Sequence, residues 1–376
     1  MVYFDNAATT PVPKAVADAM YEVLTAHFGN PSSQYPIGVE MKKAVEGWRA
    51  VIAGALGCPA ERLYFTSCGT ESDNWAIQAA LWQNRHRGRH IITTAVEHSA
   101  VLEPCKLLAQ QGYEVTYLKP GRDGNVTAEQ VADALREDTA LVSVMLVNNE
   151  TGAIFPVEEA ARAIRRSKAP ALLHVDAVQA FGKLPFTVKK LGADLLTLSG
   201  HKLHAPKGVG ALYVKKTTRL LPRTLGGGQE RGLRSGTESV PLIGALGEAV
   251  RLLPPAGEAL EHIQKLNSLL RQELAQLPGV VLHSPEDALP YVLNFSAGKV
   301  RGETMLHFLA QREVYVSSGS ACGKAKPSHV LESMGLPKEQ VQSALRVSFS
   351  RFSTEEDVGA LVEGLKEGLA QLAVGS

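Results

Sequence analysis

The sequence predicts an α/β protein in which a mainly parallel sheet is covered by helices and is followed by a smaller α+β unit. Through the first two thirds of the chain, short apolar runs alternate with amphipathic segments, as is typical of such a sheet. The break at 253-LPPAG ends this alternation. Because 376 residues also exceed the size of a usual single core, we expect two domains. Residues 15–255 would form the large domain, and residues 1–14 with 256–376 the small one.

Each apolar run has the length of a strand, and each segment between runs has helical spacing. The predicted strands are 91-IITTAV, 115-VTYL, 141-LVSVMLV, 171-ALLHVD, 194-DLLTLS and 210-GALYV. The predicted helices include 70-TESDNWAIQAALWQ, 127-TAEQVADALRE, 156-PVEEAARAIRRS, the long 257-GEALEHIQKLNSLLRQELAQL and a last one from 354-TEEDV. Helix starts are indicated by Thr127 with Gln130, which fits a capping box, by Thr70 with Asp73, and by Pro156 before an acidic first turn.

Composition excludes several classes of function. With 39 basic and 38 acidic residues, the formal charge is +1, so no basic surface for nucleic acid or an anionic membrane is expected. The four cysteines form no CxxC pair, which argues against a disulfide framework and against a structural zinc or other metal site. No apolar stretch approaches the roughly 20 residues that span a bilayer, and MVYFDNAATT is not a secretory leader. We therefore expect a cytoplasmic protein.

The most informative segment is 194-DLLTLSGHKLHAPKGVGALYV, where a buried strand ends in Ser199-Gly200-His201-Lys202. Open α/β sheets bind ligands at this end of their strands. Desolvation there lowers the pKa of a lysine, which can then hold a carbonyl cofactor as a Schiff base. Taken alone, Lys202 also fits a strand-end lysine whose ammonium lies in solvent.

A second strand, 172-LLHVDAVQ, runs into Asp176. Pyridoxal phosphate (PLP) needs a carboxylate against its pyridinium nitrogen, because the protonated ring acts as an electron sink. Gln179, three residues on, could donate a hydrogen bond to the phenolic oxygen of the ring. The alternative reading of Asp176 is a turn residue at the end of a strand.

A third segment, 65-FTSCGTESDN, reads as a strand, a turn of small residues and a helix start. Its free backbone N–H groups and the positive end of the helix dipole would bind an anion such as phosphate, with the Thr70 hydroxyl as a further donor. Ser199 and His201 could complete this site. Junctions of this kind also occur where nothing binds.

Two further residues are candidates for proton transfer and for nucleophilic chemistry. His98 follows the strand 91-IITTAV and could lie on a cofactor ring and exchange protons near neutral pH. In isolation it also fits a core histidine whose hydrogen bonds are satisfied. Cys322 lies in 317-SSGSACGKAKPSH beside Lys324 and Lys326. Positive charge favours the thiolate, which is a nucleophile, whereas a single loop cysteine is often incidental.

Taken together, these segments resemble the cysteine desulfurases of the NifS/IscS-like group, within the class V aminotransferase family of fold-type I PLP enzymes. The motifs follow the family's order at close to its spacing over nearly the whole chain. They are 4-FDNAATTPV, 28-FGNPSS, 65-FTSCGTESDN, 97-EH, 148-NNETG, 174-HVDAVQAFGK, 199-SGHKLHAPKGVGALYV, 226-GGGQERGLRSGTE, 317-SSGSAC and 345-LRVSFSRF. The resemblance implies a large domain with a mainly parallel seven-stranded sheet and a smaller α+β domain that carries the catalytic cysteine loop.

The resemblance also implies a role for each candidate residue. Lys202 would bind PLP covalently and move the substrate's α-proton, assisted by His98, which stacks on the ring. The other implied cofactor contacts are Asp176 at the pyridinium nitrogen, Gln179 at the phenolic oxygen, Asn149 beside the ring, and Gly69, Thr70, Ser199, His201 and the Thr237 of the other subunit of a homodimer at the phosphate. Arg346 and Asn30 would hold the substrate carboxylate, a task that suits the guanidinium fork.

The implied reaction takes sulfur from L-cysteine, leaving L-alanine and a persulfide on Cys322, and passes the sulfur to an acceptor protein such as an iron–sulfur scaffold. Two departures leave that acceptor open: the segment between Cys322 and 328-SHVLESMG is short, and 367-EGLAQLAVGS lacks the extension that docks a scaffold. Alternatives are a selenocysteine lyase and a related β-eliminating lyase or aminotransferase. Transamination and simple β-elimination need no protein thiol such as that of Cys322. A further alternative is an inactive sulfur carrier or scaffold partner, which the presence of Lys202, Asp176 and His98 disfavours.

Overall fold

The computed structural model describes residues 1–318 and 327–372. Cys322, with Lys324 and Lys326, lies outside the described residues. The strands are β1 (Val2–Tyr3), β2 (Leu63–Thr66), β3 (His90–Thr94), β4 (Glu114–Leu118), β5 (Thr139–Met145), β6 (Leu172–Asp176), β7 (Leu195–Ser199), β8 (Gly210–Val214), β9 (Val280–Leu282), β10 (Val292–Ala297), β11 (Val314–Tyr315) and β12 (Ala344–Ser348).

The helices cover this framework and connect its strands. They are α1 (Lys14–Thr25), α2 (Pro36–Leu56), α3 (Gly69–Gln83), α4 (Ser99–Gln110), α5 (Ala128–Ala134), α6 (Val157–Arg166), α7 (Val188–Leu191), α8 (Val240–Arg251), α9 (Ala256–Ala275), α10 (Gly302–Ala310), α11 (His329–Ser333), α12 (Lys338–Gln342) and α13 (Glu355–Gln371). Among the residues that the structure describes, no helix is long and apolar enough to cross a membrane.

The central sheet has seven strands in the order β2-β8-β7-β6-β5-β3-β4. Strand β8 is antiparallel to both of its neighbours, whereas the other pairs in the sheet are parallel. The connection from β7 to β8 spans only residues 200–209, too few for the helical crossover that a parallel pair needs. The predicted mainly parallel α/β fold is thus confirmed.

The strand order places a crevice at the carboxyl edge of this sheet. The chain runs from β3 outward to β4 and then returns past β3 to β5, from which it continues through β6 to β7. Ligands of open α/β sheets bind where the direction of winding reverses in this way. The loops after β3 and β5 leave on either side of that point, and they carry His98 and Asn149.

Two smaller sheets complete the fold. Strands β12, β10 and β9 form an antiparallel sheet in that order, and β1 pairs in parallel with β11. A further bridge joins Asp5 to Ser348. The first residues of the chain therefore lie among elements of the last third, which supports the proposed division into residues 15–255 and residues 1–14 with 256–376; that division remains a proposal.

The structure confirms two predicted helix starts and corrects a third. Pro156 is the N-cap residue of α6, whose first turn contains Glu158 and Glu159. Thr127 and Gln130 form the reciprocal bonds of a capping box at α5. The start predicted from Thr70 and Asp73 is wrong, since α3 already begins at Gly69 and no side chain caps it. Glu71 accepts a hydrogen bond from the Ser67 N–H at 2.7 Å instead, so a side chain inside the helix stabilises the turn before it.

Candidate active site

Lys202 lies in a single helical turn that directly follows β7, at the carboxyl edge of the central sheet. Its Nζ donates hydrogen bonds to the backbone oxygens of Ala7 (2.6 Å) and Ala8 (2.7 Å). The segment 4-FDNAATTPV therefore lies against the lysine, although it begins the chain. The amine is held at the edge where the fold places a ligand.

Gln179 converges on the same carbonyl as Lys202. Its Nε2 donates to the Ala7 oxygen at 2.9 Å, and its side chain is buried. The amide nitrogen of Gln179 and the amine of Lys202 thus share one acceptor. A ligand that replaced Ala7 as acceptor would contact both donors at once.

Asp176 ends β6, between Thr197 of β7 and Met145 of β5. The carboxyl is buried and accepts a hydrogen bond from the Val178 N–H at 2.9 Å. Burial, with a smaller contribution from the nearby carboxyl of Asp73, raises the pKa of Asp176 to about 7. A cationic group at this carboxyl would restore its anionic form, as a pyridinium nitrogen does.

A buried polar layer lies behind Asp176, beneath α3, and the sequence analysis did not identify it as part of the site. His174 hydrogen-bonds through Nδ1 to the Ser143 hydroxyl (2.8 Å) and through Nε2 to the Thr197 hydroxyl (3.1 Å). The Asp73 Oδ1 lies 3.4 Å from His174 Nε2. Burial raises the pKa of Asp73 to about 7 and lowers that of His174 to about 4, so burial favours the neutral form of both groups.

The start of α3 offers a surface for an anion. A Cβ added at Gly69 would lie 3.0 Å from Val178 Cγ2 and 3.4 Å from Ser199 Cβ, so this backbone packs closely on the ends of β6 and β7. The first N–H groups of a helix have no partner within the helix, and no side chain caps these. Thr70, the second helical residue, is exposed. This arrangement fits a phosphate.

His201 lies between the lysine and the N-terminal segment. Its Nδ1 is 3.3 Å from the Thr9 hydroxyl. Burial, followed by the charge of Lys202, lowers the pKa of His201 to about 4. Near neutral pH the ring is therefore uncharged and can hydrogen-bond an anion but does not add charge to its binding site.

His98 caps α4, where its Nδ1 accepts a hydrogen bond from the Ala100 N–H at 3.1 Å. Burial, followed by Lys202 and His329, lowers the pKa of His98. The neutral ring therefore carries its proton on Nε2. His329 begins α11 and hydrogen-bonds through Nε2 to the Glu97 backbone oxygen at 3.0 Å. The sequence analysis did not identify this residue, and its only signal in the sequence was its place next to the cysteine loop.

Arg346 ties three distant segments together from the middle of β12. Its Nη2 bonds Asp5 Oδ1 at 2.7 Å and its Nη1 bonds the Asn149 oxygen at 3.0 Å. The side chain is only 1% exposed, and its Nε has no hydrogen-bond partner among the described residues. The guanidinium therefore keeps N–H groups for a carboxylate.

Two of the predicted residues are not part of this cluster in a single chain. Asn30 is exposed and accepts a hydrogen bond from the Ser32 N–H at 2.9 Å, and within residues 1–318 and 327–372 no hydrogen bond joins it to Arg346. Thr237 is also exposed. The roles of both residues stay predictions.

The fold and this cluster define a family. The model of the class-V aminotransferases matches residues 2–361, and the chain belongs to that family. A cysteine desulfurase IscS of Methanosarcina thermophila is 44% identical over 375 residues, which cover 99% of this chain and 92% of that protein. A cysteine desulfurase of Nostoc sp. is 43% identical over 377 residues, or 99% of this chain and 94% of the relative.

Solved structures agree with these relatives. A NifS-like protein superposes with a TM-score of 0.93 at 40% identity, covering 99% of this chain and all (100%) of that one. SspA in complex with cysteine superposes with a TM-score of 0.83 at 34% identity, covering 94% of this chain and 100% of SspA. The predicted resemblance to cysteine desulfurases is confirmed.

Proposed function

We propose that this protein is a PLP-dependent cysteine desulfurase that converts L-cysteine to L-alanine and leaves the sulfur as a persulfide on Cys322. The observation that carries the proposal is the convergence of Lys202 and Gln179 on the Ala7 carbonyl, beside the buried carboxyl of Asp176. Relatives at 43–44% identity over nearly the whole chain are named as cysteine desulfurases. Fold, site and relatives support the same activity.

The residues present fit PLP. Lys202 supplies the amine, Asp176 a carboxyl whose pKa burial raises to about 7, and Gly69 a helix start packed closely on Ser199. Asp176 would hold the pyridinium nitrogen, Gln179 the phenolic oxygen, and the start of α3 with Ser199 and His201 the phosphate. When bound, PLP draws electrons from the α-carbon of the substrate.

The protein's own groups then bind the substrate and move its protons. Arg346 binds the α-carboxylate through N–H groups that Asp5 and Asn149 do not occupy. Lys202 takes the α-proton, and His98, whose neutral form is favoured by burial, exchanges a proton through Nε2.

We assign the sulfur transfer to Cys322 from the sequence alone. Its thiolate attacks the sulfur of the substrate; a sulfur–sulfur bond forms, the carbon–sulfur bond breaks, and its electron pair remains on carbon. Protonation of that β-carbon and return of the α-proton from Lys202 complete alanine, while the sulfur stays on the protein. An acceptor protein, such as an iron–sulfur scaffold, would then remove it.

We also propose a homodimer. Five exposed apolar side chains lie within one short stretch of sequence on and after α1: Tyr21, Leu24, Phe28, Tyr35 and Ile37. Apolar residues grouped in this way favour an interface between proteins. The exposed position of Thr237 suits a residue that reaches the site of the other subunit.

The proposal is tested by adding PLP to the purified protein and recording its visible absorbance. We expect an absorbance band of covalently bound PLP in the parent protein and in Lys207→Ala, whose lysine is exposed in the same loop, and its loss in Lys202→Ala. Cys322→Ala should keep the band but form no alanine from L-cysteine. Alanine formed by Cys322→Ala at the parent rate would contradict the role of Cys322. Pyruvate with free sulfide, or a 2-oxo acid that keeps the sulfur, would instead favour a β-eliminating lyase or an aminotransferase.

A further inference from the structure

Lys183 is a buried lysine to which the proposed mechanism assigns no role. It lies seven residues after the end of β6, and its side chain is only 8% exposed. Gly182 before it has a φ of +77°, and a Cβ there would lie 3.2 Å from Leu253, so the turn that directs Lys183 inward requires glycine. Burial of an amine costs free energy unless hydrogen bonds compensate for the lost contact with water.

The contacts of Lys183 lead to the candidate site. Its Nζ donates a hydrogen bond to Gln179 Oε1 at 3.2 Å and lies 5.8 Å from the centre of the Tyr291 ring. Burial, followed by the charges of Lys202 and Arg346, lowers the pKa of Lys183 to about 7. Both the ammonium and the neutral amine carry N–H groups, so either form can donate this hydrogen bond.

Lys183 and Ala7 together determine which way the Gln179 amide points. The ammonium form of a lysine has no acceptor, so the amide atom that faces it must be the oxygen, whereas the Ala7 carbonyl has no donor and must face the nitrogen. The observed bonds obey both requirements, with Oε1 at Lys183 and Nε2 at Ala7. The NH2 group is thereby presented on the side where Lys202 also donates.

We propose that Lys183 is a positioning residue that holds the Gln179 amide with its NH2 group toward the phenolic oxygen of the cofactor. This inference rests on the proposed function. Without Lys183, Oε1 would be buried without a donor, which is unfavourable. If the Gln179 amide reversed, Oε1 would leave this buried position, but it would then face the phenolic oxygen of the cofactor, and two oxygen acceptors would lie against each other.

The test compares Lys183→Met, Gln179→Ala and the double variant, with Lys189→Met as the control because Lys189 is exposed nearby. Two quantities are measured for each: the apparent dissociation constant for PLP and the position of the visible absorbance band. We expect Lys183→Met to bind PLP about 3- to 10-fold more weakly, the effect of one lost hydrogen bond, and to shift the band in the same direction as Gln179→Ala. In the Gln179→Ala background, Lys183→Met should change neither quantity.

A further variant separates orientation from folding. Lys183→Gln keeps an N–H donor without the charge, so it should bind PLP more tightly than Lys183→Met and keep the parent band. The inference is overturned if Lys183→Met behaves as the parent, if Lys183→Gln is no better than Lys183→Met, or if the two losses multiply in the double variant. A parent protein with no PLP-dependent band would instead contradict the proposed function.

Discussion

Burial and charge conflict at Asp73. It is 1% exposed on α3, and its charge raises the pKa of Asp176. Because the two buried carboxyls interact, ionisation of one raises the free energy needed to ionise the other. Because the pyridinium nitrogen would hold Asp176 as the anion, we expect Asp73 to remain neutral when the cofactor is bound.

The raised pKa on which this expectation depends is tested by the stability of the Asp73→Asn variant without cofactor. Burial raises the folded-state pKa of Asp73 from 3.8 to about 7, so the folded protein holds a proton that the unfolded chain releases between about pH 4 and 7. Stability from this group is therefore lost as pH rises through that window. Asparagine resembles the neutral acid at every pH. We expect the unfolding free energy of Asp73→Asn relative to the parent to increase by about 1–3 kcal/mol between pH 5 and 8, measured by urea denaturation; a difference independent of pH would contradict it.

At this scale the sequence identifies strand-end residues better than buried ones. Lys202 and Asp176 could be predicted because each follows an apolar run that must end at a sheet edge. Asp73, His174 and Lys183 could not, because a helix or strand pattern does not tell which polar side chain faces the interior. Only the three-dimensional packing of α3 and the Gly182 turn buries them.

Among the elements, α3 couples the sheet to the proposed phosphate site through its first residue. Gly69 has room for no side chain without displacing Val178, whose Cγ2 would lie 3.0 Å from the added Cβ. A shift of the helix start would move the N–H groups that bind the anion. The element therefore requires glycine at this position because of packing, not because of backbone conformation.

Gly69→Ala should accordingly weaken PLP binding by about tenfold, the cost of losing or lengthening one charge-assisted hydrogen bond. The measurement is the apparent dissociation constant for PLP in a titration. Gly47→Ala is the control, since Gly47 is exposed on α2 with nothing within 4 Å of an added Cβ, and it should bind PLP as the parent does. Equal affinities in Gly69→Ala and the parent would refute the packing argument.

The order of the elements was largely predictable, but their directions and ends were not. Each apolar run from 91-IITTAV to 210-GALYV is a strand of the central sheet. The antiparallel direction of β8 follows from the short loop before it and not from the apolar run itself, which looks the same in a parallel and an antiparallel buried strand. The start of α3 depends on the contacts of Gly69 and Glu71. The pairing of Thr70 with Asp73 in the sequence therefore predicted the wrong first residue.

For the whole molecule, the central expectation is that two chains share each site. Co-expression of differently tagged Lys202→Ala and Thr237→Ala chains tests it. A mixed dimer would contain one site with Lys202 from one chain and Thr237 from the other, and this site would be intact. Purified mixed dimers should therefore produce alanine faster than both variant homodimers together, approaching half the parent rate. If Thr237 served the site of its own chain, no intact site would form and no gain would appear.

The account depends most directly on where the sulfur goes. A single turnover with L-cysteine, in the absence of a thiol acceptor, should yield one alanine per active site. Intact-protein and peptide mass spectrometry should then find one additional sulfur atom on Cys322. Release of free sulfide and pyruvate, with no sulfur added to Cys322, would contradict the proposed cysteine desulfurase.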